Sequence, residues 1–349
     1  MGNTHRTGNT YSGGGRGSTN TGQIGNTIRN TIREGDEVDE SYRDFAEDSG
    51  LTDRQGETIS NRRDVLEEIL RAELGVHDSR LIGSFTRRTV TGPLTEETDA
   101  DMMVVLDAQE HRHWIEQENG PRNCLQAIKR RIKSDPRFSE TDVKIDQNAV
   151  QVKYHDSTVE IVPAFRYSEV PHAEHPRDGL NLFNDASDGY AIPDTHGQES
   201  WIGTNPRAYK QRFDARNEAH DGRVAGLTRM MKKWSENNDV PTKGYAMEVM
   251  VYNYFAEKAE TGGTVPENYH DLARDFVDSL PERVRGTPRE PVYDGAVDNN
   301  WSSEERQEAA EKAKRAAQTL EEAKKLKEQG RTQAAKEKLR EEYGEGFQD

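Results

Sequence analysis

The sequence predicts an α/β (α+β) chain in which a mixed sheet occupies the first half and a helical lobe the second. Three observations predict it. Short apolar or alternating runs at Met102–Leu106, Ala149–Tyr154 and Val159–Val162 are separated by turn-forming residues, which is strand grammar. From Pro206 onward the apolar residues recur at helical spacing, as in Val224, Leu227, Met230, Met231 and Trp234. Beyond Ser302 the chain is mostly Ala, Glu, Lys, Arg, Gln and Leu, the strongest helix formers.

Each element follows from its residues. Positions 1–35 hold Gly, Asn, Thr, Ser and Arg with hardly a residue able to build a core, so a disordered tail is expected, its ordering entropy uncompensated by burial. A helix is expected from Glu57 to Leu74, where Ile59, Val65, Leu66, Ile69, Leu70 and Leu74 form a stripe and Gly75 stands at the cap. Leu81 to Gly83 reads as a strand entering a Gly83-Ser84 turn, and the loop Thr91 to Thr98 leads to the strand Met102–Leu106. Pro121 opens a helix to Lys133 that buries Cys124, Leu125, Ile128 and Ile132. Its Lys129, Arg130, Arg131 and Lys133 are read as a solvated face, with an anionic ligand as the alternative. His111 and His113 lack the spacing of a zinc site. Ala149 to Tyr154 and Val159 to Val162 are strands around a His155-Asp156-Ser157 turn, the second closed by Pro163. Residues 166–205 read as a long connector, too long to be idle. Helices are then expected over 206–220, 223–238, 243–259 and 269–280, and two more after Ser302, divided by Gly330. The organisation expected is a tail over 1–35, a catalytic domain over 36–205 and a helical domain over 206–349.

The chemistry concentrates at Gly83-Ser84 and Asp99-Ala100-Asp101. Strand residues alternate faces, so Asp99 and Asp101 project from one side. Two carboxylates that close stay ionised only beside a cation, and such a pair suits Mg²⁺ with substrate phosphates. Gly83 admits a close backbone approach to a phosphate, and Ser84 offers it a hydroxyl and an N–H. Glu160, set among Val159, Ile161 and Val162, is a charge that requires a partner or a metal; beside Asp99 and Asp101 it completes a ligand set for two divalent ions.

Gly83-Ser84-Phe85-Thr86-Arg87-Arg88-Thr89, Asp99-Ala100-Asp101 and Val159-Glu160-Ile161-Val162-Pro163-Ala164-Phe165 together resemble the polymerase-β-like nucleotidyltransferases. More narrowly they resemble the cGAS/DncV-like nucleotidyltransferases (CD-NTases) of the bacterial and archaeal anti-phage (CBASS) systems. The likeness continues through Gly189–Asp194, Trp201–Pro206, Met230–Trp234, Pro291–Asp294 with Asn299-Asn300-Trp301, and Tyr343–Phe347, covering roughly residues 55 to 349. Glu160 departs from the commoner Asp. The resemblance implies a two-lobed cleft in which Asp99, Asp101 and Glu160 hold two Mg²⁺ or Mn²⁺ ions, with nucleoside triphosphates as substrates. It places Gly83, Ser84 and Lys232 on the triphosphate. Tyr245, in Lys243-Gly244-Tyr245-Ala246-Met247-Glu248, is expected to stack under a base, a contact that any base accepts; an ordinary core tyrosine is the alternative. The implied product is a cyclic di- or oligonucleotide second messenger, made with loss of pyrophosphate and read by a downstream effector protein. The rival readings are a template-independent RNA-tailing polymerase and a nucleotide-binding sensor without turnover.

Composition limits these choices. The 349 residues allow one large domain or two, and 32% hydrophobic against 32% charged residues leaves a lean core. The formal charge of −16 argues against a chain that grips nucleic-acid backbones, so no stable nucleic-acid complex is expected. The same acidic excess suits a high-salt cytoplasm. One cysteine excludes an internal disulfide, and no stretch approaches about 18 apolar residues. A cytoplasmic monomer without a membrane partner is the expectation. Gln348-Asp349 is not the small-residue end at which family members are conjugated to targets, and conjugation is not expected.

Overall fold

The computed structural model describes residues 37–174, 189–195, 199–297 and 301–347. The tail expected over 1–35 lies outside them, as do Asn299, Asn300, Gln348 and Asp349. Seven strands form one mixed sheet: β1 (Val76–Leu81), β2 (Asp99–Leu106), β3 (Val143–Asp146), β4 (Ala149–Lys153), β5 (Thr158–Arg166), β6 (Tyr190–Asp194) and β7 (Ser200–Thr204). Their order is β1-β2-β5-β4-β3, with β6 and β7 added beside β5. Only β2 and β5 run parallel.

Two helices cover one face of this sheet. Helix α2 (Asp53–Arg71) buries Ile59, Leu66, Ile69 and Leu70, the stripe read from the sequence, and starts about one turn before Glu57 because Thr52 and Gln55 form a capping box. After a first short helix α3 (Gly83–Arg87) and α4 (Arg112–Glu116), helix α5 (Gly120–Ser134) buries Cys124, Leu125, Ile128 and Ile132 against the same core. Burial pushes the Cys124 thiol far up, which removes it as a nucleophile. The basic heads of α5 are partly spent on backbone: Arg131 Nε donates to Ile69 O at 3.0 Å and Lys133 Nζ to Thr141 O at 2.9 Å.

Three expectations change. Pro163 does not close its strand; β5 runs on to Arg166. The proline falls after the pairing with β4 ends at Ile161 and before that with β6 begins at Phe165, so no partner on that edge needs its missing N–H. Within the connector, Tyr190–Asp194 and Ser200–Thr204 form an antiparallel hairpin continuous with the sheet. Leu81 ends β1, and Gly83 opens a helix instead of closing a strand.

The helical lobe comprises α6 (Pro206–Ala219), α7 (Arg223–Asn237), α8 (Gly244–Thr261), α9 (Tyr269–Arg285), α10 (Ser303–Glu328) and α11 (Thr332–Tyr343). Helix α1 (Glu37–Asp48), which the sequence grouped with the residues up to 205, packs in this helical core through Val38, Tyr42, Phe45 and Ala46. Gly330, at φ +73°, divides α10 from α11. Tyr42 and Phe45 close on Tyr343 and Phe347, with the Tyr42 and Phe347 rings 5.0 Å apart. The two ends of the described chain thus share one aromatic cluster. No helix among the described residues is long and apolar enough to cross a membrane. Phe347→Ala, which empties a fully buried ring site, is expected to cost about 3–5 kcal/mol, read as a lowered midpoint in denaturant titration.

Candidate active site

The strand register decides where the acids go. Asp99 and Asp101 stand two apart on β2 and share its outer face, while Met102, Val104 and Leu106 enter the sheet core. On the parallel neighbour Glu160 is the direct partner of Asp101, so its side chain joins theirs. Val159 and Ile161, fully buried, point the opposite way. Glu160 is therefore not embedded in the apolar core as its sequence neighbours suggest; it is half-exposed on the open face and accepts from Gln151 Nε2 at 2.9 Å.

Gly83 closes against this cluster. Its φ is +65°, and a Cβ there would sit 1.9 Å from Asp101 Oδ2. The Ile82 N–H donates to Asp101 O at 2.9 Å, which extends the β1–β2 ladder into the site. The glycine is thus required by the carboxylate itself, and Ser84 follows in the first turn of α3.

Burial, and then the charge of Glu160, push the Asp101 carboxyl up to about 7 and that of Asp99 up to about 6. Among the described residues neither has a Lys or Arg in ion-pair contact. Two desolvated carboxylates beside a third, with Lys153 and Arg87 acting on them only at a distance, form a donor set that fits a divalent metal. As the side chains stand, no three His, Cys, Asp or Glu residues among those described are gathered around one point that could hold an ion.

The acids line a cavity of about 900 Å³ between the lobes, together with Gly83, Ser84, Lys232 and Tyr245. All seven residues singled out in the sequence meet in this one space. Tyr245 is 42% exposed, which removes the reading of an ordinary core tyrosine. Lys232 is buried on the cavity wall, its Nζ donating to Thr89 O at 2.8 Å and lying 3.6 Å from Glu248 Oε2. Desolvation pushes its ammonium below the usual range, and Glu248 opposes that.

Sequence reasoning missed the group that joins the lobes. Glu248, fully buried on α8, accepts from Arg87 Nε at 2.6 Å and from the Thr89 hydroxyl. Burial alone would raise its carboxyl, but Arg87, then Lys232 and the Thr89 bond, hold it below the usual range. Arg87 also lies over the Tyr209 ring, 4.5 Å from its centroid. The signal was present: an acid at position 248 inside an otherwise apolar helical run has to find cations.

A mixed sheet carrying acids on one open face, with a Gly-Ser turn beside them and a helical lobe across the cleft, is the polymerase-β-like nucleotidyltransferase fold. Similar structures include the CD-NTase CdnG of Bradyrhizobium diazoefficiens, solved with GTP (TM-score 0.63, 12% identity, 90% of this chain and 97% of that one). Another is the Vibrio cholerae DncV cyclic AMP-GMP synthase (TM-score 0.57, 14% identity, 95% and 92%). At these identities the likeness is one of fold. Within that fold, residues 37–177 match the Second Messenger Oligonucleotide or Dinucleotide Synthetase domain. A probable cyclic nucleotide synthase of Bacillus cereus is 29% identical over 211 residues, 53% of this chain; the chain spans 58% of that relative's length.

Two outcomes are expected. Because the folded-state values of Asp99 and Asp101 lie above those of an unfolded chain, the metal-free protein binds more protons folded than unfolded between about pH 4 and pH 7. Its stability should fall as pH rises through that window, and Asp101→Asn should flatten the slope in thermal melts. Glu248→Ala leaves Arg87 and Lys232 buried without their counter-charge and should cost about 3–5 kcal/mol in denaturant titration.

Proposed function

We propose that the protein is a metal-dependent nucleotidyltransferase that joins nucleoside triphosphates into cyclic di- or oligonucleotide second messengers for antiviral defence, releasing pyrophosphate. One observation carries the reading: Asp99, Asp101 and Glu160 share one face of two parallel strands on the wall of a cavity of about 900 Å³. That volume lies near the top of the range for small-molecule sites, about 300–1,000 Å³, and suits two nucleotides better than one.

Asp99 and Asp101 would hold both of two Mg²⁺ or Mn²⁺ ions, and Glu160 one of them. Bound there, the ions would supply the charge that offsets the developing oxyanions and lowers the pKa of an attacking 2′- or 3′-hydroxyl. The remaining work falls to the chain. Gly83 and Ser84 present backbone and hydroxyl donors beside the acids, where the β- and γ-phosphates of a substrate would lie. Lys232 gives one N–H to Thr89 and directs its charge at Glu248, which leaves a third N–H that would reach the triphosphate. Tyr245 offers its exposed ring as a platform for a base. Gln151 donates to Glu160 and also to Asp146 at 3.1 Å, which fixes the Glu160 carboxylate on the side facing Asp101. A separate effector protein would read the product, and the synthase would act as a monomer in the cytoplasm.

The test is incubation of the full chain with the four labelled nucleoside triphosphates and Mg²⁺ or Mn²⁺, then phosphatase treatment and mass spectrometry. Phosphatase-resistant species of a few nucleotides, absent with Asp99→Ala, are expected. Asp101→Asn should lower turnover at least about a hundredfold, since it removes a ligand charge at nearly constant volume, with circular dichroism unchanged. Long linear products would instead indicate RNA tailing, and nucleotide binding without turnover a sensor.

A further inference from the structure

We infer that Glu290 selects the base in this cleft, favouring guanine. The inference rests on the proposed function, because it assigns an edge-reading group to the nucleotide held there. Glu290 lines the same cavity as Tyr245 and the acids, in the segment that follows α9. One of its oxygens is committed: Oε2 accepts the backbone N–H of Val292 at 2.8 Å and that of Tyr293 at 2.6 Å. Those two bonds fold the Glu290–Asp294 turn and lock the carboxylate in place. The other oxygen, Oε1, accepts no hydrogen bond among the described residues.

The surrounding cations are engaged elsewhere. Arg87 is held by Glu248 and lies over Tyr209. Arg212 Nη1 donates to the carbonyl of Pro291. No described Lys or Arg forms an ion pair with Glu290, so a half-buried carboxylate faces the cavity as an acceptor without a donor. Burial raises this carboxyl, which is the cost of leaving it so. Tyr245 and Glu290 line the same cavity, and the charge of Glu290 acts on the Tyr245 hydroxyl. A base stacked on the Tyr245 ring would therefore turn its edge toward Oε1.

Guanine presents N1–H and a 2-amino group side by side, so a lone carboxylate oxygen can accept from both. Adenine offers an acceptor, N1, next to its amino group, which would meet the carboxylate with like polarity. Discrimination of this kind is strong because the wrong edge leaves a buried acceptor unpaired.

Substitution by glutamine separates base reading from a structural role. The Val292 and Tyr293 N–H groups need an acceptor, so in Glu290→Gln the amide oxygen must take the place of Oε2. The amide NH₂ then points into the cavity, where it is a donor. The turn survives while the reading group changes sign.

The experiment is equilibrium binding of the α,β-imido triphosphates of guanosine, inosine and adenosine to the full chain with Mg²⁺, by calorimetry, for wild type and Glu290→Gln. Inosine keeps N1–H and lacks the 2-amino group. The wild type is expected to bind the guanosine analogue about 10–100-fold more tightly than the adenosine one, with inosine between, corresponding to one charged hydrogen bond. In Glu290→Gln the order should collapse or reverse, with thermal stability retained. Equal affinities in the wild type, or an unchanged guanosine preference in Glu290→Gln, would overturn the assignment of Glu290 while leaving the nucleotide site standing. Absence of binding by all three analogues would overturn the nucleotide site and this inference together.

Discussion

The ion pair between Arg87 and Glu248 is the interaction on which the cleft depends. Arg87 ends the short helix that opens with Gly83 and Ser84; Glu248 lies on the helix that carries Tyr245. Neither side chain is more than 4% exposed. A pair so deeply removed from water is not a large net source of stability, since desolvating both charges offsets most of their attraction. What it fixes is geometry. The bond sets the Gly83-Ser84 turn of one lobe against the helix that carries Tyr245 in the other, and Lys232 is drawn to the same carboxylate. The space left between these groups is the cavity, so its width follows from side chains that never touch its contents.

Against that frame of opposite charges, the acids stand uncompensated. Asp101 is desolvated by the sheet and by Gly83, with Glu160 beside it, and no described Lys or Arg forms an ion pair with it; the charge of Arg87 offsets only part of that cost. The lobes have spent their nearest cations on Glu248. The arrangement therefore separates two kinds of negative charge: one buried and answered by protein, the other at the surface of a cavity and left for an incoming cation. Under the proposed function, a substrate that carries its own metal would supply that missing charge.

Much of this was legible in the chain. Asp99 and Asp101 could be placed on one face from the two-residue repeat alone, and the stripes of α2, α5 and α7 followed from helical spacing. Glu160 was found for a reason that proved wrong, since an acid between Val159 and Ile161 on an alternating strand faces outward as readily as inward. The hairpin β6–β7 was hidden because Pro193 and Gly203 weaken the strand signal in both arms, and only pairing with β5 compensates. Helix α1 had no apolar neighbours in sequence; its partners, Tyr343 and Phe347, are some 300 residues away. Glu248 and Glu290 escaped notice because their roles come from what the fold brings near them. Tyr245 could be singled out only by its surrounding motif, since exposure is a tertiary property.

Strand β5 changes partners partway along, giving its first residues to β4 and its last to β6. One continuous backbone therefore belongs to both arms of a forked sheet. Glu160 stands on one arm; about five residues on, or about 17 Å, Phe165 begins the other, which leads through β7 to Asn205 at the head of α6. A strand of this kind is a stiff beam with the third acid at one end and the helical lobe fastened near the other. The path from Glu160 to α6 therefore runs through hydrogen-bonded strands rather than through a loose hinge. The fork ties the third carboxylate, through paired strands alone, to the hairpin from which the helical lobe starts.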